Sequence, residues 1–113
     1  MPPRNWKIRI RDILDCIEKI ERFTRGYTFA DFQEDEKTID SVLRNLEIIG
    51  EASRHVPTDM RIRYPDIPWV EMLTMRNIVI HEYHGVNLEI IWQTVKENLP
   101  PLVSPLKQIL ARE

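Results

Sequence analysis

Apolar residues recur every three or four positions along most of the chain, which is the period of an α-helix buried on one side. The first series predicts a helix over residues 6–24, and Gly26 follows where a C-terminal cap is expected. Its apolar positions are Ile10, Ile13, Leu14, Ile17 and Ile20. A longer helix is predicted over residues 36–55, with Asp35 as its N-cap and Pro57 beyond its end. Its apolar positions are Ile39, Val42, Leu43, Leu46, Ile49 and Ala52.

Two short helical segments are predicted on either side of this second helix. Thr28 and Asp31 have the spacing of a capping box, which predicts one helical turn over residues 29–32. Residues 58–64 lie between two prolines and predict a short helix, because each proline restricts the chain beside it.

A third main helix is predicted to begin near residue 69. Asp66 and Pro68 are typical of a helix start, in which a capping residue is followed by proline in the first turn. The helix is expected to end at Gly85. Its apolar positions are Trp69, Val70, Met72, Leu73, Ile78 and Val79.

A fourth helix is predicted to begin at Asn87, which is a suitable N-cap, and to carry Ile90, Ile91, Val95 and Leu99 on its apolar side. Pro100 and Pro101 must kink or interrupt it, and residues 102–111 form a last segment. No alternation typical of a strand occurs, and no internal repeat. The pattern therefore predicts an all-α, up-and-down bundle of four or five helices with short loops, in a single domain over residues 1–113.

Composition adds limits to this picture rather than changing it. The chain has 113 residues, of which 42% are hydrophobic and 30% charged, as is typical of one globular domain. No apolar run approaches the roughly 20 residues that span a membrane, and residues 1–6 lack the apolar centre of a secretory signal. Cys16 is the only cysteine, which excludes a disulfide framework. We therefore expect a cytoplasmic protein without membrane contact.

The charge of the chain excludes a strongly basic nucleic-acid-binding protein but not a local basic surface. The formal net charge is −2. The first eleven residues contain Arg4, Lys7, Arg9 and Arg11 and no acid, and a second basic cluster consists of Arg54, Arg61 and Arg63. Such clusters would hold a phosphate backbone in a salt-dependent way, although scattered basic residues also commonly form a solvated surface.

Candidate chemistry is concentrated in residues 76–83, at the polar end of the third helix. Arg76 offers a fixed positive charge and planar donors that suit a phosphate, and His81 can give or take a proton near neutral pH. Both suit metal-independent RNA cleavage, in which the ribose 2′-hydroxyl attacks the adjacent phosphorus. Asn77 would hydrogen-bond a non-bridging oxygen or orient His81. We expect no metal ion, because the nearby His and Glu residues do not form a His-Glu-x-x-His motif. We also expect no cofactor, since three glycines cannot form a glycine-rich phosphate-binding loop.

Helical geometry does not bring these residues together on its own. At about 100° per residue, Arg76 and His81 point well away from each other on an ideal helix. Either the helix unwinds near His81, or two copies of the chain form a composite cleft, which we favour because a small bundle can pair along one exposed helix face. A cation near a helix C-terminus is also common for structural reasons. Spacing alone therefore leaves a purely structural role open.

The motif Arg76-x4-His81-x-Tyr83 resembles the signature of the HepT-like toxins, an all-helical ribonuclease family of the HEPN superfamily. Other segments similar to the family keep its order over most of residues 8–110; they are residues 48–52, 65–69, 75–77, 81–86, 91–92 and 99–100. One departure is Asn87, where many relatives have Asp. Both residues cap helices well, so the fold is expected to be the same.

The resemblance implies a ribonuclease toxin of a type II/VII-like toxin–antitoxin pair. It also implies a HEPN-like bundle that forms a homodimer, in which the motifs of two copies form one RNA cleft. By this resemblance Arg76 and His81 are catalytic, and Asn77 supports them. It also implies an antitoxin partner, an MntA-like minimal nucleotidyltransferase that transfers AMP from ATP to Tyr83 and so brings negative charge into the cleft. The alternative function is a non-catalytic helical partner of a nucleotidyltransferase, which the near-neutral net charge favours.

Overall fold

The computed structural model describes residues 5–82 and 87–113, and the side chains of residues 6–77 and 87–113. These ranges contain seven α-helices and no β-strand, which confirms the all-α prediction. The helices are α1 (Asn5–Thr24), α2 (Phe29–Glu34), α3 (Glu36–Arg54), α4 (Thr58–Arg63), α5 (Trp69–Glu82), α6 (Leu88–Gln93) and α7 (Val103–Arg112). In the described part of the chain, no helix is long and apolar enough to cross a membrane.

Short polar side chains fix the starts of α2 and α3. Thr28 and Asp31 form both hydrogen bonds of a capping box, as predicted, and the helix continues beyond the predicted turn to Glu34. The Asp35 carboxylate accepts a hydrogen bond from the Thr38 amide, so Asp35 is the N-cap of α3. The Tyr27 hydroxyl and Thr38 also donate to Asp35, which lowers the pKa of its carboxyl group to about 2.

The predicted interruption between the fourth helix and the last segment is present, and it has a specific form. Asn87 caps α6 by accepting hydrogen bonds from two backbone amides of its first turn. After α6 the chain widens into a π-helical turn, Thr94–Asn98, and then tightens into a 3₁₀ turn, Pro100–Leu102. Proline lacks an amide hydrogen and its ring clashes with the carbonyl four residues earlier, so a regular helix cannot pass Pro100.

α3 is the central helix, because it packs against both α1 and α5, while α7 lies against α1. In the described part of the chain, the predicted apolar series of α1 and α3 supply nine of the 24 buried hydrophobic residues of this core. They bury Ile10, Ile13, Ile17, Ile20, Val42, Leu43, Leu46, Ile49 and Ala52. Cys16 lies in the same core, and burial raises the pKa of its thiol to about 11.

The predicted buried side of α5 is wrong at Val70, and the side chains of Ile78 and Val79, also predicted on that side, lie outside the described residues. Val70 is 69% exposed, whereas Met75, which the apolar series did not include, is buried beside Met72. Apolar residues surround most of α5, so the pattern does not indicate which side of the helix faces the core. Trp69 is buried as predicted, and its indole nitrogen donates a hydrogen bond to the Tyr64 carbonyl at 2.9 Å.

The backbones of α3 and α5 come close to each other at Gly50. A Cβ atom placed on Gly50 would lie 2.8 Å from the backbone nitrogen of Arg76 and 2.9 Å from its Cβ. Real Cβ atoms essentially never come this close to other heavy atoms. The absence of a side chain at Gly50 therefore allows α5 to lie where it does, and it fixes the backbone position of Arg76.

We predict that Gly50→Ala destabilises the protein. On an exposed helix the same change would stabilise by about 1 kcal/mol, because alanine is the better helix former. Here the added methyl group meets backbone rather than a movable side-chain tip, so we expect a net loss of roughly 1–3 kcal/mol in the free energy of unfolding. Chemical denaturation measures this quantity, and a variant as stable as the wild type would contradict the close approach.

Candidate functional site

Arg76 projects from α5 toward α3 and reaches the protein surface. Its Nη1 donates a hydrogen bond to Oε2 of Glu51 at 3.2 Å, and this contact is also an ion pair. The side chains of Arg76 and Glu51 are 42% and 40% exposed, respectively. The guanidinium group is thus held at one edge while its other donors remain close to solvent, which is the condition for binding a phosphate.

The Glu51 carboxylate is shared by three basic side chains. Besides Arg76 on its Oε2, it has Arg54 Nη2 at 3.5 Å and His55 Nε2 at 3.4 Å from its Oε1. Both additional partners follow Glu51 on α3 by three and four residues, so they lie on the same side of that helix. With two arginines and one carboxylate, the cluster keeps a positive charge even when the histidine is neutral.

A cleft of about 440 Å³ opens beside this cluster, between α1, α3 and α5. Its walls carry four arginines, three carboxylates and two apolar side chains. They are Arg9, Arg44, Arg54, Arg76, Asp12, Glu47, Glu51, Ile48 and Ala52. Within the described residues, Arg9 and Arg44 form no ion pair, so their donors are available to an anion.

The structure brings together only parts of the two basic clusters predicted from the sequence. Arg9 from the first cluster and Arg54 from the second line the same cleft. Lys7 and Arg63, by contrast, both contact Glu113 and do not line this cleft. The predicted clusters are therefore not two continuous surfaces, and the arginines that meet come from helices distant in sequence.

Sequence reasoning assigned no role to Glu51 or Arg44. Both lie on the side of α3 that faces the cleft, and together with Glu47 they are spaced at three- and four-residue intervals. That spacing was visible in the sequence. The pairing of Glu51 with Arg76 was not, because it spans 25 residues and depends on how α3 and α5 pack.

The remaining candidate residues follow Arg76 on and beyond α5. Asn77 is exposed. His81 lies within α5, which is helical through Glu82, but its side chain is outside the described residues, as is the whole of Tyr83. Since α5 does not unwind before Glu82, positions 76 and 81 are about 140° apart around the helix axis. One copy of α5 therefore does not direct both positions toward the same point.

Comparison with known proteins identifies relatives along nearly the whole chain. Residues 13–109 match the family described as "Ribonuclease HepT-like". A Thermococcus cleftensis protein named "Probable ribonuclease HepT" is 46% identical over 106 residues, which cover 94% of this chain and 96% of that protein. A Methanocaldococcus jannaschii protein provisionally named an RNase is 38% identical over 110 residues, with coverage of 97% and 91%.

A third relative extends the similarity to another organism. A protein of Caldanaerobacter subterraneus, also provisionally named an RNase, is 41% identical over 99 residues, which cover 88% of each chain. No solved structure matches the chain significantly.

Proposed function

The chain belongs to the HepT-like ribonuclease family and is an RNA endonuclease, and we propose that it cleaves RNA without a metal ion, at a cleft completed by a second copy of the chain. The observation that supports this site is the placement of Arg76. Its backbone is fixed by the contact with Gly50, and its half-exposed guanidinium group borders a cleft lined by further arginines.

In the proposed reaction, Arg76 binds the scissile phosphate, whose bond between phosphorus and the 5′-oxygen is broken. The ribose 2′-hydroxyl attacks phosphorus, a 2′,3′-cyclic phosphate forms, and the 5′-oxygen leaves with a proton. Negative charge grows on the non-bridging oxygens during the attack, and a guanidinium group directed at them stabilises that charge. DNA has no 2′-hydroxyl group and would therefore resist cleavage.

His81 is the proposed proton donor or acceptor. An unperturbed histidine has a pKa of about 6.5, so it can remove the 2′-hydroxyl proton or protonate the leaving oxygen near neutral pH. Asn77, adjacent to Arg76, would donate a hydrogen bond to a phosphoryl oxygen. No metal ion is needed in this scheme, because Arg76 supplies the positive charge.

The continuity of α5 supports a composite cleft. Positions 76 and 81 point in different directions on a helix that continues through Glu82. Arg76 of one copy can therefore meet His81 of another copy more easily than His81 of its own copy. We therefore propose a symmetric homodimer in which two copies of α5 face each other.

The proposed control of the enzyme acts at Tyr83, which follows Glu82 in the sequence. In a toxin–antitoxin pair, a minimal nucleotidyltransferase of the MntA type would transfer AMP from ATP to the tyrosine hydroxyl and release pyrophosphate. The resulting phosphodiester carries negative charge and the bulk of a nucleoside. Both would oppose RNA entering a cleft that depends on Arg76.

A second candidate is a non-catalytic partner of a nucleotidyltransferase. It is favoured by the mixed charge of the cleft, in which three carboxylates accompany four arginines. Such a protein would bind the transferase through its helical surface and would not cleave RNA.

We predict that Arg76→Ala and His81→Ala each abolish most RNA cleavage. Loss of a charge-stabilising donor lowers turnover by roughly 10²- to 10³-fold, and loss of a general acid or base by roughly 10²- to 10⁴-fold. The measurement is cleavage of labelled RNA by purified protein. Arg22 lies in the last turn of α1 and does not line the cleft, so Arg22→Ala is the control that keeps activity. Equal activity in wild type and both variants would contradict the proposed site. An inactive wild type that still binds the transferase would favour the second candidate.

We predict that Tyr83 is the residue that accepts AMP. Incubation with the cognate transferase and ATP should increase the mass of the wild-type chain by one or more AMP groups and suppress RNA cleavage. Tyr83→Phe should gain no mass, because it lacks the hydroxyl, and should keep its cleavage activity. A mass gain of the same size in Tyr83→Phe, measured on the intact protein, would assign the modification to another residue.

We predict a dimer at micromolar concentration, detected by light scattering. If Arg76 of one copy acts with His81 of the other, mixing the inactive Arg76→Ala and His81→Ala variants should restore partial activity. The mixed dimer then keeps one intact pair, formed by Arg76 of the His81→Ala copy and His81 of the Arg76→Ala copy. A monomeric protein, or a dimer whose mixed variants stay inactive, would contradict the pairing of residues between copies.

A further inference from the structure

Glu51 holds the tip of the Arg76 side chain, in addition to the restraint that Gly50 places on its backbone. Gly50 and Glu51 are consecutive on α3, so both restraints on Arg76 come from the same helical turn. A long, half-exposed arginine otherwise has many rotamers of similar energy. The 3.2 Å contact with Glu51 selects those that direct the guanidinium group along the wall of the cleft.

The carboxylate that provides this restraint is itself held from its other side. Arg54 and His55 both contact Oε1 of Glu51, while Arg76 contacts Oε2. The two oxygens are thus used for different purposes: one fixes the carboxylate on α3, and the other reaches across to α5. Because Arg54 and His55 hold the Glu51 carboxylate, it can restrain Arg76 instead of moving with it.

This arrangement contributes little to stability, because both partners are about two-fifths exposed and ion pairs of this kind are weak in water. The ion pair also weakens the attraction of RNA to the cleft, because a carboxylate beside Arg76 lowers the positive charge that a phosphate meets. An interaction that adds little stability and weakens substrate attraction is explained best by the geometry that it imposes.

We propose that Glu51 is a positioning residue for RNA cleavage, which holds the Arg76 guanidinium group in the orientation that the transition state requires. The proposal rests on the proposed role of Arg76. It assigns to Glu51 a contribution to turnover rather than to RNA affinity, because misorientation of a charge-stabilising group affects the transition state more than the bound substrate.

The test compares Glu51→Gln and Glu51→Ala with Glu47→Gln. Glu47 is one turn earlier on α3 and lines the same cleft, but it forms no ion pair within the described residues, so it is a control for charge alone. The amide oxygen of Glu51→Gln can still accept a hydrogen bond from Arg76, whereas Glu51→Ala cannot. We expect kcat to fall by roughly tenfold in Glu51→Gln and up to about 100-fold in Glu51→Ala. KM should be unchanged or lower in both. Glu47→Gln should lose less kcat than Glu51→Gln, because it removes the same charge from the cleft without removing a contact to Arg76.

Two further measurements separate positioning from folding and do not require turnover. Thermal unfolding should show that the Glu51 variants stay folded with midpoints close to wild type. NMR of protein labelled with ¹⁵N-arginine measures the motion of the Arg76 side chain, whose signal is assigned by its loss in Arg76→Ala. This signal should report a restrained guanidinium group in the wild type and faster motion in Glu51→Ala. Affinity for RNA blocked by 2′-O-methylation should be equal or higher in Glu51→Gln.

The outcomes distinguish this inference from the proposed function. Wild-type kcat in Glu51→Ala, while Arg76→Ala is inactive, would overturn the positioning role and leave the function of Arg76 intact. A higher KM at unchanged kcat, or an equal loss in Glu47→Gln, would also overturn it. Full activity of Arg76→Ala would instead contradict the proposed function itself. If the wild type shows no cleavage, an unrestrained Arg76 signal in it would overturn the contact on which the inference depends.

Discussion

The contact between α3 and α5 at Gly50 is the constraint on which the candidate site depends. α3 is the helix around which the bundle is organised, and Gly50 lets the backbone of α5 approach it without a side chain in between. This approach sets the height and rotation of α5 relative to α3. Because Arg76 is the residue that meets Gly50, the same contact that completes the core also fixes the start of the proposed catalytic motif.

The core and the site use neighbouring residues of α3 for different purposes. Ile49 is fully buried, Gly50 permits the close approach, and Glu51 is half-exposed and contacts Arg76. Three consecutive residues thus connect the interior with the surface cleft. Small changes in the packing of α3 would be transmitted directly to the guanidinium group, since no flexible loop lies between them.

Much of the fold follows from the sequence because its helices are amphipathic and clearly capped. The series on α1 and α3 and the caps at Thr28, Asp35 and Asn87 identify the elements and their buried sides. α5 was harder because apolar residues surround most of it, so Val70 was assigned to the core although it is exposed. The cleft could not be predicted from spacing, since it joins arginines from α1, α3 and α5. The chemistry of Arg76 and His81 made them candidates, and the resemblance favoured a catalytic role over a structural one. Only the packed helices show that Arg76 shares Glu51 with two other basic groups.

The buried thiol of Cys16 makes this protein convenient for spectroscopic labelling. The side chain is only 5% exposed, and desolvation raises its pKa to about 11, so almost none of it is the reactive thiolate at neutral pH. It is also the only cysteine of the chain. A single cysteine introduced on the surface could therefore carry a spin label or a fluorophore without first removing the native one, which gives direct access to distances between two copies of the chain in solution.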